Sequence, residues 1–228
     1  MASVALAAVA VRPSSASAQA NEETRRVSGG GISVPGWMGK VDDREAGQGL
    51  SVKDSRFMSM GGSLHVVTGP ATTFWNPANK ASGDYTVKAT FNEPKYMELN
   101  DHPHPYGIVI AGNDMGTDKG TYLYCAAYGN GVFIVRGFGP AAFQMNGGRG
   151  QPNDAVHKAE GKGKPVSQDI ALSVKGDKVT CNINGTDVAT YTKADLQAKG
   201  LRSTDGVYGV RFAHNTEGLV VGLKVTKP

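Results

Sequence analysis

The sequence predicts an all-β protein that folds as a two-sheet antiparallel sandwich with one short helix. Glycine accounts for 31 of the 228 residues, about twice its usual share, and an excess of glycine indicates many tight turns. Charged residues make up only 19% of the chain, which argues against a charge-stabilised helical bundle. Several segments alternate apolar and polar residues with a period of two, which is typical of half-buried strands.

The first 20 residues have the features of a secretory signal peptide. Residues 1–11 are small and apolar, and Ala18-Gln19-Ala20 has the A-x-A form that signal peptidase accepts. The apolar run is too short to span a bilayer. It departs from the usual signal-peptide pattern in one respect, because no Lys or Arg precedes the run. We therefore expect a signal peptide at 1–20 and a secreted or periplasmic protein. Residues 21–35 are polar and Gly-rich, so we expect a flexible N-terminal tail there.

Residues 36–228 are expected to form a single domain. The clearest strand is 85–91, in which the alternate residues Tyr85, Val87 and Phe91 share one face. Hairpin turns are indicated by Asn130-Gly131 and Asn184-Gly185, because Asn-Gly readily adopts the positive φ angles of tight turns. Further strands are expected at 64–67, 71–75, 107–111, 121–128, 132–136, 169–174, 179–183, 207–213 and 219–225. About ten strands with regular turn signals are typical of a jelly-roll sandwich.

One short helix is expected near residue 195. Thr192 and Asp195 have the spacing of a capping box, and Gly200 provides a stop signal. Residues 140–166 are rich in Gly, Pro, Asn and Lys, and the strand pattern continues on both sides of them. We expect this segment to be a surface excursion of one domain and not a linker between two.

Charge and cysteine content exclude several classes of function. The net charge is +4, but the lysines are scattered among acids, so there is no basic stripe of the kind that binds nucleic acid. No apolar run is long enough for a membrane span. Cys125 and Cys181 are too far apart for a zinc-type motif. They can form one disulfide in an oxidising compartment or remain two buried thiols, and the sequence leaves both readings open.

Three stretches together resemble the concanavalin A-like lectin/glucanase superfamily of jelly rolls, which includes laminin-G-like modules. They are 107–136, 170–185 with its Gly-Asp and Asn-Gly turns, and 206–225. The resemblance covers most of residues 57–226. It is strongest to secreted bacterial proteins of unknown function and to the 3-keto-disaccharide hydrolase domain class. It implies the jelly-roll fold, but the superfamily holds lectins, glycosidases and interaction modules, so it does not select a function.

The resemblance does not extend to the catalytic motif of the glucanases. Those enzymes carry an E-x-D-x-E strand, which places two carboxylates on one face at the separation that glycoside hydrolysis needs. The chain has no such motif, and Glu93 and Glu98 have the wrong spacing and enclose Pro94. We therefore expect a protein that binds and does not catalyse.

The segment Asp101-His102-Pro103-His104 is the strongest metal candidate in the sequence. In an extended segment His102 and His104 project to the same side, and Asp101 or Asp114 could add an oxygen ligand. The spacing specifies no third ligand, however, and a proline-stiffened surface loop explains the same residues. The sequence-based expectation is therefore no metal and no cofactor.

A row of tyrosines provides the candidate ligand-binding surface. Tyr122, Tyr124 and Tyr128 fall on one face of the expected strand 121–128, and such rings can pack against the C–H faces of sugars. The full candidate set adds a further ring and two polar neighbours: Tyr122, Tyr124, Tyr128, Trp75, Arg136 and Asp114.

The same face is also a candidate for the core. If Asn130-Gly131 forms a two-residue turn, Tyr128 pairs with Phe133, and Ile134 and Arg136 lie on the opposite face. The tyrosine face is then apolar enough to be buried. Which face of this strand meets solvent is the question that the sequence leaves to the structure.

The favoured function is a secreted, non-catalytic module that recognises a glycan or another cell-envelope polymer. One alternative is a glycoside-type hydrolase that acts on a sugar derivative, as the hydrolase resemblance implies. The other is a structural subunit that docks onto a protein partner in an extracytoplasmic assembly. A cleft with paired acids of raised pKa favours the first alternative, and a broad exposed apolar patch favours the second.

Overall fold

A computed structural model describes residues 23–228. The signal peptide expected at 1–20 lies outside the described residues. Strands dominate the chain, and the short helices are peripheral. The elements are β1 (Gly31–Ile32), β2 (Met38–Val41), α1 (Asp43–Ala46), a 3-10 helix (Val52–Asp54), β3 (Arg56–Met60), β4 (Ser63–Val67), β5 (Thr72–Ala81), β6 (Tyr85–Glu93), β7 (Tyr106–Asn113), β8 (Thr121–Tyr128), β9 (Val132–Phe138), β10 (Ala142–Gln144), β11 (Gln151–Pro152), β12 (Val166–Lys175), β13 (Lys178–Ile183), β14 (Thr186–Thr192), α2 (Lys193–Ala198), β15 (Gly206–Phe212) and β16 (Glu217–Thr226).

The strands form two sheets that pack face to face. The first sheet has the order β1-β3-β4-β16-β6-β12-β13-β14, and the second has the order β10-β9-β8-β7-β15-β5-β2, with β11 also paired to β9. β1 and β3 are parallel, and the other pairs are antiparallel. Neighbouring strands are often distant in sequence, because the chain crosses repeatedly between the sheets. This arrangement confirms the predicted antiparallel sandwich of jelly-roll type.

The core lies between the inner faces of the two sheets. In β6 the burial alternates strictly along the strand, so that Val87 and Phe91 face inward while Lys88 is exposed. From the other sheet, Ile108 and Leu123 fill the opposite side of the same core. The period-two pattern therefore predicted this strand and its buried face correctly.

A disulfide joins the two sheets through the core. Cys125 lies in β8 of the second sheet and Cys181 in β13 of the first, and their Cα atoms are 6.1 Å apart. The structure thus contains the bridge, one of the two arrangements that the sequence allowed. It closes a loop across a sequence separation of 56 residues, and a disulfide of this kind stabilises a fold mainly by restricting the unfolded chain.

The β8–β9 hairpin corrects one sequence expectation. Tyr128 pairs with Val132 and not with Phe133, so the turn has three residues, 129–131, with Gly131 at φ 89°. A three-residue hairpin with glycine in the left-handed region is a common alternative to the two-residue turn. The shift of one residue moves Ile134 and Arg136 onto the tyrosine face.

The N-terminal segment runs along the sandwich, in contrast to the free tail that its composition predicts. The N–H of Val27 donates to the carbonyl of Asp54 (3.1 Å), and Gly31–Ile32 pairs with β3. Glycine permits this close approach: a Cβ added at Gly30 would lie 2.1 Å from the carbonyl oxygen of Lys53. The low side-chain bulk that reads as flexibility in the sequence therefore allows tight backbone packing in the structure.

The helix α2 begins with the capping box that the sequence indicates. The hydroxyl of Thr192 accepts from the N–H of Asp195 (3.0 Å), and the Asp195 carboxylate accepts from the N–H of Thr192 (3.0 Å). Leu196 is fully buried and anchors the helix to the core. None of the helices within residues 23–228 has the length and apolar character needed to cross a bilayer.

Candidate functional site

A cleft of about 1080 Å³ opens over the outer face of the second sheet. The β8–β9 hairpin provides its floor. Its walls come from the N-terminal segment, α1, the loop before β7, the turn after β15 and the 148–149 loop. The lining residues used below are Glu23, Arg26, Asp42, Arg44, Glu45, His102, His104, Tyr128, Ile134, Arg136, Arg149 and His214.

Strand alternation places the floor residues. Leu123 and Phe133 belong to the core between the sheets, whereas Tyr124 and Ile134 form a second apolar cluster on the outer face. Tyr128 packs against this outer cluster and lines the cleft. The tyrosine row is therefore not part of the core between the sheets.

Arg136 extends the floor with a hydrogen-bond donor. It lies opposite Tyr124 in the β8–β9 register. Its Nε atom is buried and has no hydrogen-bond partner within residues 23–228. A buried guanidinium N–H without a partner is costly, so a turn of the side chain that brings this N–H to a ligand in the cleft is favoured.

The cleft has an excess of uncommitted positive charge. Arg26 is paired with Asp54 at 2.7 Å, but no ion pair within residues 23–228 engages Arg44, Arg136 or Arg149. The lining carboxylates are mostly committed: Asp42 pairs with Arg211, and Glu45 binds a histidine and a backbone N–H. The electrostatic character of the cleft therefore favours anionic or oxygen-rich ligands.

The other end of the same sheet face is closed. Arg211 extends over the tyrosine row, with its guanidinium carbon 5.1 Å from the ring centroids of both Tyr124 and Phe138. Its two terminal nitrogens bind both carboxylate oxygens of Asp42, at 2.7 and 2.5 Å. Tyr122 stacks on Phe138 at a centroid distance of 4.9 Å. We call this group, together with Thr73, the sealed patch.

The sealed patch is electrostatically satisfied. Burial acts to lower the pKa of Arg211, but the Asp42 carboxylate outweighs it and holds that pKa well above its ordinary value. Burial also raises the pKa of Tyr122, whose hydroxyl hydrogen-bonds Thr73 at 3.0 Å. Arg211 therefore stays protonated, and Tyr122 stays neutral, across the physiological pH range.

Three histidines converge on the wall of the cleft. His102 and His104 lie in the loop before β7, and His214 lies in the turn after β15. The Nε2 atom of His104 is 2.9 Å from Nε2 of His102 and 3.0 Å from Nε2 of His214. All three side chains line the cleft, and we call them the histidine triad.

Each ring of the histidine triad is oriented by a contact at its other nitrogen. Nδ1 of His102 is 2.5 Å from a carboxylate oxygen of Asp101. Nδ1 of His104 is 2.6 Å from the backbone carbonyl oxygen of His214. Nδ1 of His214 is 3.2 Å from a carboxylate oxygen of Glu45, the buried residue of α1. Three acceptors thus face the three Nδ1 positions.

His104 is the most buried member of the triad. Burial, together with the neighbouring His214 ring, lowers the pKa of His104 to about 3. The His102 and His214 side chains remain 44% and 27% exposed, on the cleft side. The triad therefore has one ring inside the protein and two at its surface.

Asn215 holds the segments around the triad together. It is fully buried, and its backbone carbonyl accepts from the Asn100 side chain at 2.9 Å. Its side chain donates to the carbonyl of Glu23 (3.0 Å) and accepts from the N–H of Arg25 (2.9 Å). The loop before β7, the turn after β15 and the N-terminal segment thus meet at one residue, through its backbone carbonyl and its side chain.

The structure divides the sequence-predicted ligand set. Tyr128 and Arg136 line the cleft, whereas Tyr122 and Tyr124 belong to the sealed patch. Trp75 is buried beside the 115–116 turn, where a Cβ on Gly116 would be 3.4 Å from its ring. Asp114 forms an exposed ion pair with Arg202 at 2.5 Å and does not line the cleft.

The sequence places His214 near the end of a strand, where it could line a cleft, but it does not link His214 to His102 and His104, and it gives no signal for Glu45 or Arg149. His214 is separated from His104 by 110 residues, and only the pairing of β15 with β7 brings the two together. Arg149 lies in a loop of mixed composition. The His-x-His spacing was the only local signal for the triad, and the third member required the strand order.

The fold has many solved relatives at low sequence identity. No protein-family model and no curated protein matches the chain. The carbohydrate-binding module CBM66 from Bacillus subtilis is similar with TM-score 0.55 and 9% identity, over 86% of this chain and 99% of that one. The endo-β-1,3-glucanase from Pyrococcus furiosus is similar with TM-score 0.52 and 11% identity, over 88% and 91%.

A third similar structure was solved in a form with Ca²⁺ and Man2 bound. The exoplasmic/lumenal domain of VIP36 in its Ca²⁺/Man2-bound form has TM-score 0.52 and 11% identity, over 86% of this chain and 82% of that one. At these identities the similarity establishes the fold alone. The chain has the jelly-roll sandwich fold of the concanavalin A-like lectins and glucanases.

Proposed function

We propose that this protein is a non-catalytic module that binds an acidic glycan in the cleft outside the cytoplasm. The observation that carries the proposal is the composition of the cleft: the side chains of Tyr128 and Arg136 line its floor, and the Arg136 charge has no ion-pair partner within residues 23–228. A sugar packs its C–H face on an aromatic ring while its oxygens bind nearby donors.

The acidic character of the ligand follows from the charges. Arg44, Arg136 and Arg149 have no ion-pair partner within residues 23–228, while Asp42 and Glu45 are committed to other groups. A guanidinium binds a carboxylate or sulfate group in a two-pronged, charge-assisted arrangement. A polymer with a charge on each repeat also gains from multivalent binding, which compensates for weak single contacts.

The non-catalytic reading is supported by the position of the acids. Glu93 is a buried carboxyl group whose pKa burial raises to about 7, but it does not line the cleft. The E-x-D-x-E motif of the glucanases is absent from the sequence. The structure of the endo-β-1,3-glucanase is similar in fold, so hydrolysis remains the alternative function against which this proposal is tested.

The extracytoplasmic location is supported by two independent features. The sequence has an A-x-A site before Asn21. The Cys125–Cys181 disulfide is of a kind that persists in oxidising compartments. Expression with the native N-terminus followed by sequencing of the exported protein is expected to give a chain that starts at Asn21. Retention of the whole chain in the cytoplasm contradicts this part of the proposal.

Binding is tested with purified chain and two polysaccharides, a polyuronate and a neutral glucan, by affinity electrophoresis and calorimetry. The polyuronate is expected to bind and the neutral glucan to bind more weakly. Arg136→Ala is expected to weaken polyuronate binding by about 10-fold or more, because a charged hydrogen bond contributes about 1.5–3 kcal/mol. The matched control is Arg202→Ala, which removes an exposed arginine outside the cleft lining.

The aromatic contribution is tested at Tyr128. Tyr128→Ala is expected to weaken binding by about 2- to 10-fold, and Tyr128→Phe to retain most of it, because stacking needs the ring and not the hydroxyl. Binding that survives both Tyr128→Ala and Arg136→Ala contradicts the proposed cleft. Release of reducing sugar from either polymer contradicts the non-catalytic reading.

A further inference from the structure

The histidine triad has the spacing of three ligands around one metal ion. Its ligand nitrogens all lie within 4.8 Å of one another, and two Nε2–Nε2 distances are 2.9 and 3.0 Å. Tetrahedral Zn²⁺ with Zn–N bonds of about 2.0–2.1 Å requires N–N separations of about 3.3 Å. The two separations to His104 are a few tenths of an ångström shorter than this, and the third, between His102 and His214, is at most 4.8 Å, so binding requires the two exposed rings to turn toward a common centre.

We propose that His102, His104 and His214 form a binding site for a divalent transition-metal ion of the zinc type, with its remaining coordination position open to the cleft. Three neutral imidazoles are a ligand set suited to Zn²⁺, Cu²⁺, Ni²⁺ or Co²⁺, and not to Ca²⁺ or Mg²⁺, which prefer oxygen ligands. The site is thus of a different kind from an oxygen-liganded calcium site.

The contacts at Nδ1 are the strongest support for this site. An acceptor opposite Nδ1 places the ring proton on that nitrogen and leaves the lone pair of the neutral ring on Nε2. The acceptors are an Asp101 carboxylate, the His214 carbonyl and a Glu45 carboxylate. Metal-binding histidines almost always make such a contact with a carboxylate or a backbone carbonyl, and here all three rings do.

The lone pairs of the three rings are directed at one another. Two acceptor nitrogens at hydrogen-bond distance repel each other unless a proton or a cation lies between them. A single proton serves one pair of nitrogens, whereas a metal ion serves all three at once. The convergence of three Nε2 atoms is therefore better explained by a cation than by hydrogen bonds among the rings.

The surroundings of the triad limit its movement but leave one side open. Asn215 ties the turn that carries His214 to the loop that begins near Asn100. His104 is only 5% exposed, so the ion is held against the protein interior on that side. All three residues line the cleft, so a water molecule or a ligand oxygen can reach the remaining position. Metal sites with three protein ligands typically keep such an open position.

The site is tested by metal titration of the full chain carrying a histidine-free affinity tag. The protein is first stripped with a chelator and then titrated with ZnCl₂ by calorimetry. One equivalent of Zn²⁺ per chain is expected to bind, and CoCl₂ is expected to give the intense visible absorption of four-coordinate Co²⁺. His102→Ala removes a ligand that is partly exposed, so the fold is expected to survive while affinity falls by more than about 100-fold.

Two further variants separate a metal site from a structural histidine cluster. Asp101→Asn keeps every ligand and weakens the orienting contact, so it is expected to lower Zn²⁺ affinity by about 10- to 100-fold. His157→Ala and His65→Ala are matched controls, because both histidines lie outside the triad, and they are expected to leave the affinity unchanged. Zn²⁺ is expected to raise the melting temperature of the wild type and not that of His102→Ala.

The proposal fails if stripped wild-type protein binds less than one equivalent of Zn²⁺ and of Co²⁺. It also fails if His102→Ala binds as tightly as the wild type, or if His157→Ala loses affinity to the same extent as His102→Ala. Since none of these measurements uses a glycan, their outcome is independent of the proposed glycan binding.

Discussion

The two ends of the outer face of the second sheet are built from similar residue types but reach different states. At one end Arg211 binds Asp42 in a two-pronged ion pair and covers the rings of Tyr124 and Phe138. At the other end Arg136 and Tyr128 both line an open floor, and no carboxylate within the described chain pairs with Arg136. One end is sealed by its own side chains, and the other is left to a ligand.

The difference shows how an arginine beside aromatic rings serves either stability or binding. Arg211 has its partner within the protein. The partner is the carboxylate of Asp42, which lies between β2 and α1 at the opposite edge of the same sheet. Arg136 has no such partner within the described residues. Glu45, the buried acid of α1, pairs with His214 and not with Arg136. Substitutions at the sealed patch should therefore affect folding, and substitutions at the cleft should affect binding.

The largest effect is expected from Asp42→Ala in the sealed patch. The change leaves the buried Arg211 cation without its partner, which typically costs about 3–5 kcal/mol of unfolding free energy. Urea denaturation measures it. Asp114→Ala is the matched control: its ion pair with Arg202 has the same 2.5 Å distance but is about half exposed, so a loss below about 1 kcal/mol is expected. Equal losses of unfolding free energy in the two variants would show that the Asp42–Arg211 pair stabilises the fold no more than an exposed ion pair does, and would contradict the structural role of the sealed patch.

The disulfide is expected to support both ends of the sheet face together. Cys125 lies between Tyr124 and Ala126 in β8, beneath the boundary of the two regions. Replacing both cysteines with alanine is expected to reduce the unfolding free energy by about 2–4 kcal/mol. Thermal unfolding of the double variant should remain one cooperative transition. Two separate transitions would show instead that the sealed patch and the cleft unfold independently.

Glu93, a buried carboxyl group outside the cleft lining, gives the folding stability a dependence on pH. It ends β6, where the loop that carries His102 and His104 begins, and the buried Tyr96 and Tyr106 surround it. Burial raises the pKa of Glu93 from 4.5 to about 7. The folded protein therefore holds this proton more tightly than the unfolded chain, so the stabilisation is complete below pH 4.5 and is lost as the pH rises through 7.

Stability of the wild type is accordingly expected to fall between pH 5 and 8 by an amount on the order of 2–3 kcal/mol. Glu93→Gln is expected to flatten that profile, because the amide does not ionise. Glu98→Gln, on the exposed side of the same loop, should keep the wild-type slope. Denaturant midpoints at a series of pH values measure all three proteins, and a Glu93→Gln profile as steep as that of the wild type would rule out this group as the cause.

The smallest expected effect on folding is that of Arg136→Ala. Because the side chain makes no ion pair in the described structure and its Nε has no partner, its removal should change the unfolding free energy by only about 0.5 kcal/mol. The same variant is expected to lose glycan binding. A stability loss comparable to that of Asp42→Ala would mean that Arg136 is a structural residue. The cleft floor would then serve folding stability, as the sealed patch does.

The fold was predictable because its signals are local. The alternation in 85–91 and the capping box at Thr192 and Asp195 each depend on a few neighbouring residues, and the structure reproduces both. The hairpin register depended on whether the turn has two or three residues, and the Asn130-Gly131 pair is compatible with either. A single residue of error there exchanged the faces of Ile134 and Arg136.

The candidate site was less predictable because it depends on strand order. The sequence places His102 and His104 on one side of an extended segment, but the ligand that joins them is His214 and the acid expected there, Asp101, lies behind His102. The exposure of tyrosines also followed from the other strands: Arg211 on β15 covers Tyr124, while Tyr128 lies beyond its reach at the end of β8. No periodicity carries this information.

The attachment of the N-terminal segment to Asn215 has a practical consequence for handling the protein. Glu23 and Thr24 border the cleft, so a tag joined directly before Glu23 would start beside the opening. The back of the chain leaves from the far end of β16, roughly 30 Å along that strand from the His214 turn. A reporter or surface linkage placed after Pro228 therefore keeps the entrance clear.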